Sequence, residues 1–160
     1  MENDSHPGED WKELTTIQVV ISLLLIVILG VSWKCFWLSQ NVFPFNSDEA
    51  ITGLMARHIL QGARPAFFYG QAYMGSLDAY LVAFLFQMFG ESVLLIRVLQ
   101  IILYSFTIIT TAMLGKSIAN SWRCGLLSAI LLTVPAVNLT LYTTVSLGGY
   151  GEGLLISNIV

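Results

Sequence analysis

The chain has 160 residues, 56% of them hydrophobic and 11% charged, with a formal net charge of −3 and a mean hydropathy of +0.74. So few charges cannot cover the surface of a soluble domain of this length, and no basic footprint of a nucleic-acid binder is present. Cys35 and Cys124 lie too far apart for a paired metal or redox motif and are read as apolar fillers.

Residues 1–14 read as a short solvated tail: Glu2, Asp4, Glu9, Asp10 and Glu13 oppose only Lys12, and Pro7-Gly8 interrupts any periodic pattern. Ile17 to Trp33 then carries only Gln18, Ser22 and Ser32 as clearly polar residues. Extended through the aromatic end at Leu38, this run is long enough to cross a bilayer. The acidic start and the aromatic finish differ from a cleaved signal peptide, so the segment reads as a retained anchor.

A long loop, about residues 39–76, follows and is rich in Pro, Gly, Asn and aromatics. Within it, Ile51, Leu54, Met55 and Ile59 repeat at helical spacing, with Arg57, His58 and Gln61 toward the other faces. That pattern predicts an amphipathic helix at the membrane surface, capped by Ser47 or Asp48. Leu77 to Phe89 is an apolar stretch short for a full crossing, and Gly90-Glu91 is a tight break. Ser92 to Leu114 is a second clear span, Gly115 to Arg123 a polar turn, and Cys124 to Val137 a further apolar helix extending toward Tyr142. Glycines 148, 149, 151 and 153 mark another loop. Leu154 to Val160 begins one more apolar segment, so residues 15–160 are expected to be the N-terminal part of a larger transmembrane domain. The predicted fold class is an all-α, polytopic membrane helix bundle whose extracytoplasmic loop carries two amphipathic surface helices.

Strict alternation from a cytoplasmic tail puts the long loop outside, Gly90-Glu91 inside and the Lys116/Arg123 turn outside, against the positive-inside rule. The conflict weakens if Leu77 to Phe89 does not cross.

Phe45-Asn46-Ser47-Asp48-Glu49-Ala50, the helix through Ala56-Arg57-His58-Ile59-Leu60, then Gly62, Pro65 and the run Phe67 to Gly75 follow one another after the anchor. With Phe89-Gly90-Glu91-Ser92 and Arg97, this order resembles the protein O-mannosyltransferase and aminoarabinose transferase group of integral-membrane glycosyltransferases with the GT-C fold. The resemblance covers most of residues 15–125. It implies transfer of a sugar from a polyprenyl-phosphate-linked donor to an extracytoplasmic acceptor, in the cell (plasma) membrane, by an inverting single displacement.

The resemblance further implies that Asp48 is the acidic residue of the first loop. As general base it would take the proton of an acceptor hydroxyl, with Glu49 orienting the acceptor or the base. Arg57 or Arg64 would stabilise the leaving phosphate, and Gln71, Tyr73 and Asp78 are further substrate-binding candidates. Each has a plainer reading. Asp48 and Glu49 suit the positive end of a helix dipole, the arginines suit lipid head groups, aromatics belong at any membrane interface, and Asp78 suits a helix cap. Arg97 is expected to snorkel or to pair with Glu91, and Glu152 has no recognisable motif. No cofactor is called for; a divalent metal at Asp48-Glu49 stays open, although nothing nearby completes a ligand set. The Tyr69–Tyr73 stretch departs from the His-Pro-Pro-like pattern found at the equivalent place in some of the family, which leaves the acceptor undefined. The isolated 160-residue stretch is expected to be inactive.

Two other classes stay open on the same residues. A non-catalytic membrane subunit would depend on small-residue faces such as Gly115, Ala119 and Gly125. A lipid-binding or transport-type protein would depend on Asp78 or Arg97.

Overall fold

The computed structural model describes residues 14–134 and 137–160; apart from Leu14, the acidic tail lies outside the described residues. Helix α1 (Thr16–Ser39) starts at a capping box, in which Thr15 accepts from the Gln18 backbone N–H and Gln18 reaches back to Thr15. Helix α2 spans Ser47–Leu60, and strands β1 (Phe67–Phe68) and β2 (Gln71–Gly75) pair antiparallel behind it. Helices α3 (Leu77–Phe89), α4 (Val93–Ala119), α5 (Trp122–Thr133), α6 (Val137–Tyr142) and α7 (Tyr150–Ser157) complete the order. The fold is mostly helical, as predicted, but the loop carries one surface helix and a β-hairpin where two helices were expected.

Helices α1 and α4 are each long and apolar enough to cross a bilayer. At 1.5 Å per residue they measure about 36 and 40 Å against a hydrocarbon core of about 30 Å. Helix α1 turns large apolar side chains outward, with Ile17 72% and Leu25 60% exposed. Helix α3, about 20 Å long, is too short to cross and stops where Gly90 takes a φ of +85°.

Helix α4 is the spine. Its N-terminal half packs Ile96, Leu99 and Leu103 against Val82, Ala83 and Phe86 of α3 and Ala56 of α2. Its C-terminal half packs Tyr104, Ile108 and Ala112 against Ile26 of α1 and Leu126 and Ala129 of α5. A third cluster, Met55, Phe68 and Ala79, seats the hairpin on α2 and α3. The turn expected over residues 115–123 contracts to Asn120 and Ser121, because α4 runs on to Ala119 and Asn120 takes a left-handed φ of +49°. The apolar helix predicted from Cys124 ends at Thr133, two residues ahead of Pro135 in the sequence. Both cysteines are exposed, so neither fills the core.

The small residues of the α4–α5 hairpin are used inside the chain. A Cβ on Gly125 would collide with the backbone carbonyl of Ala112, and one on Gly115 would lie 2.7 Å from Ser128 Oγ. Gly125→Ala is therefore expected to destabilise by about 1–3 kcal/mol, read as a lower midpoint of thermal unfolding in detergent. Gly53→Ala, whose Cβ would meet only Ile96 Cδ1 at 3.4 Å, is expected to be neutral or slightly stabilising, because alanine favours the helix.

Candidate functional site

The first turn of α2 is fixed by reciprocal bonds. Asn46, not Ser47 or Asp48, is the cap: its Oδ1 accepts from the Glu49 backbone N–H at 2.9 Å, and Glu49 Oε2 accepts from the Asn46 N–H at 3.4 Å. Glu49 is fully buried. Arg97 of α4 reaches it with both faces of the fork, Nε to Oε1 at 2.9 Å and Nη2 to Oε2 at 3.0 Å, and Nη2 also donates to the Phe43 carbonyl at 3.1 Å. One guanidinium thus ties the chain entering α2 to α4. The expected Arg97–Glu91 pair does not form; Glu91 instead meets Arg57 at 3.0 Å, with both side chains about half exposed.

Asp48, one residue from this clamp, is half-buried and has no hydrogen bond or ion pair among the described residues. The two carboxylates therefore separate: Glu49 is consumed in structure and Asp48 is available. With both Glu49 oxygens on Arg97, the pair does not fit a divalent cation, which needs several oxygen ligands. No cluster of three or more His, Cys, Asp or Glu exists among the described residues. Arg64 is exposed, Gln71 is half-buried on β2, and Tyr73 is 82% exposed. His58 Nδ1 lies 3.2 Å from the Tyr69 hydroxyl.

Asp78 does not cap α3; no side chain does. It turns inward, where Gln100 Nε2 donates to Oδ1 at 3.0 Å and Ser146 Oγ donates to Oδ2. Thr52 lies 3.0 Å from Ser146 Oγ, and since the one Ser146 proton goes to Asp78, Thr52 is the donor to Ser146. Thr52 is also four residues beyond Asp48, on the same face of α2. One buried polar network therefore joins α2, α3, α4 and the segment before α7, directly behind the turn that holds Asp48.

Glu152, in the first turn of α7, completes this region. It is 6% exposed, and its Oε2 has no hydrogen-bond partner. Burial, together with the negative charge of Asp78, pushes its carboxyl up to about 7, and burial likewise raises Asp78. Glu152 lines a cavity of about 420 Å³ with Tyr73, Gly75, Gly148, Gly149 and Tyr150. A second recess of about 390 Å³ is lined by Phe45, Glu49, Arg57 and Glu91; Asp48 lines neither. Comparison with protein-family models, with curated proteins and with solved structures returns no match.

Gln100 and Ser146 were missed in the sequence, and Glu152 was noticed there but given no role. For Glu152 the available signal was its setting as the only acid among four glycines in residues 148–153. Lys34 was missed as well. It is 1% exposed within α1, donates to Thr143 Oγ1 at 2.6 Å and Thr144 Oγ1 at 2.9 Å, and sits 4.0 Å from the Tyr104 ring centroid. This ammonium draws the segment after α6 against α1.

A carboxyl whose folded-state pKa is raised loses stability as pH rises. The Glu152 penalty is absent below its ordinary pKa of 4.5 and complete above about 7. Glu152→Gln is therefore expected to leave stability unchanged near pH 4.5 and to raise it by roughly 3 kcal/mol above pH 7. Unfolding midpoints in detergent across that pH range check the sign.

Proposed function

We propose that the chain is the N-terminal part of a membrane glycosyltransferase that moves a sugar from a polyprenyl-phosphate carrier to an extracytoplasmic acceptor, with Asp48 as general base. The observation that carries this reading is the division of labour at the start of α2. Glu49 is locked by Asn46 and Arg97, while Asp48 keeps an uncommitted carboxylate on a rigid turn. Glu49 is then a positioning residue. Asp48 accepts the proton of the acceptor hydroxyl as its oxygen forms a bond to the anomeric carbon. The bond from that carbon to the carrier phosphate breaks on the opposite face, its electron pair leaves on the phosphate, and the configuration inverts. Arg64 is the cation without a carboxylate partner among the described residues near this loop, and it is assigned to the leaving phosphate.

The proposed placement is multi-pass in the plasma membrane. With α1 and α4 crossing and α3 lying at the surface, residues 40–92 fall on one side and the turn at Asn120-Ser121 on the other. A cytoplasmic tail then puts Lys116 and Arg123 inside, in agreement with the positive-inside rule. The Thr52–Ser146 bond supports the return of the chain to the outer side before α7.

Membranes carrying the parent protein are expected to consume a labelled polyprenyl-phosphate sugar. Donor consumption at the level of empty membranes, across a panel of such donors, contradicts the proposal.

A further inference from the structure

Glu152 poses a local problem that nothing else in the described chain answers. An ionised buried carboxylate requires donors to both oxygens, and even a protonated one leaves lone pairs and a hydroxyl to satisfy. Its Oε2 has neither. The backbone N–H groups of Glu152 and Asp78 reach the carboxyl but leave Oε2 unpaired, and the Asp78 side chain cannot supply the missing donor, since its own two oxygens accept from Gln100 and Ser146. Glu152 lines the adjoining cavity, and that cavity is the side from which a further donor can approach its carboxyl.

The walls of that cavity narrow the choice. Tyr73 on β2 and Tyr150 on α7 flank it, and Tyr150 is held by stacking on Tyr142 with ring centroids 4.7 Å apart. Gly148 and Gly149, at φ of +75° and +114°, leave one side free of side chains. At about 420 Å³ the space falls within the usual range of small-molecule sites, about 300–1,000 Å³. Two buried carboxyls disfavour an anion, and two carboxyls without a third strong ligand hold a divalent cation poorly. A ring with apolar faces and several hydroxyl donors at its rim meets every demand: tyrosine faces for its C–H groups and a carboxyl acceptor for its hydroxyls.

We propose that the cavity between β2 and α7 is a saccharide subsite in which Glu152 accepts hydrogen bonds from sugar hydroxyls and Tyr73 covers one face of the ring. The inference rests on the glycosyltransferase reading for which sugar-bearing molecule arrives, but the site itself is distinct from the Asp48 turn. Asp78, held by Gln100 and Ser146, is a positioning residue that keeps the segment carrying Glu152 against the cavity.

The test uses the chain in lipid nanodiscs and a panel of methyl pyranosides of gluco, galacto and manno configuration at millimolar concentration, followed by saturation-transfer NMR. At least one probe is expected to show transfer with the wild type, and equally with Asp48→Asn. The signal should fall at least ten-fold with Glu152→Leu and several-fold with Tyr73→Ala, a surface change that leaves the fold intact. Glu152→Gln keeps an acceptor oxygen without the charge and should stay within a few-fold of wild type. No signal from any probe, or a signal unchanged in Glu152→Leu, overturns the proposal. Saturable Mn²⁺ binding that Glu152→Gln abolishes also overturns it, in favour of a cation site. Because Asp48→Asn leaves this readout unchanged, failure here is separable from failure of the transferase reading.

Discussion

Asp48→Asn in the parent protein is expected to lower sugar transfer by about 10²–10⁴-fold, the usual contribution of a positioned general base. The substitution preserves size and hydrogen-bonding reach and removes only the ability to take a proton. The first turn of α2 should survive it, because the cap is Asn46 and the clamp is Glu49 with Arg97. Insertion and the thermal unfolding midpoint should therefore stay at wild-type values, which separates lost chemistry from lost fold. A bare helix-dipole role for Asp48 predicts the opposite pattern: transfer intact and stability down by roughly 0.3–1 kcal/mol. Measuring both quantities on one preparation distinguishes the two.

Arg97→Met carries the largest expected cost in stability, about 3–5 kcal/mol. Among the described residues the guanidinium is the only partner of the fully buried Glu49 apart from the Asn46 cap, and it also holds the Phe43 carbonyl. Removing it strands a carboxylate in the interior. Glu49→Gln in the Arg97→Met background removes that stranded charge and should recover part of the loss, so the two substitutions are expected to be strongly non-additive. Arg57→Met, which breaks the exposed pair with Glu91, should cost no more than about 1 kcal/mol. Unfolding midpoints of the wild type, Arg97→Met, Glu49→Gln, the double substitution and Arg57→Met in one detergent decide both the ranking and the non-additivity.

The long helices were legible because their signal is local. Uninterrupted apolar runs mark α1 and α4, and the repeat of Ile51, Met55 and Ile59 marks α2. The hairpin was not legible, since β1 has two residues and β2 five, too few for alternation to stand out among aromatics that any interface attracts. The clamp failed for a related reason. From Arg97 the nearest acid in sequence is Glu91, whereas the true partner lies 48 residues away and is brought close only when α2 packs across α4. The same holds for Asp78, whose partners Gln100 and Ser146 lie 22 and 68 residues downstream. The Asp48-Glu49 motif was visible; which carboxylate is spent on structure and which is left free depends on tertiary contacts.

The most direct measurement is single-turnover transfer by the parent protein in proteoliposomes, following both release of the polyprenyl phosphate and the anomeric configuration of the product. The account predicts Asp48-dependent release of the carrier, with the configuration inverted relative to the donor. Label remaining on the carrier, or a product of retained configuration, would contradict it.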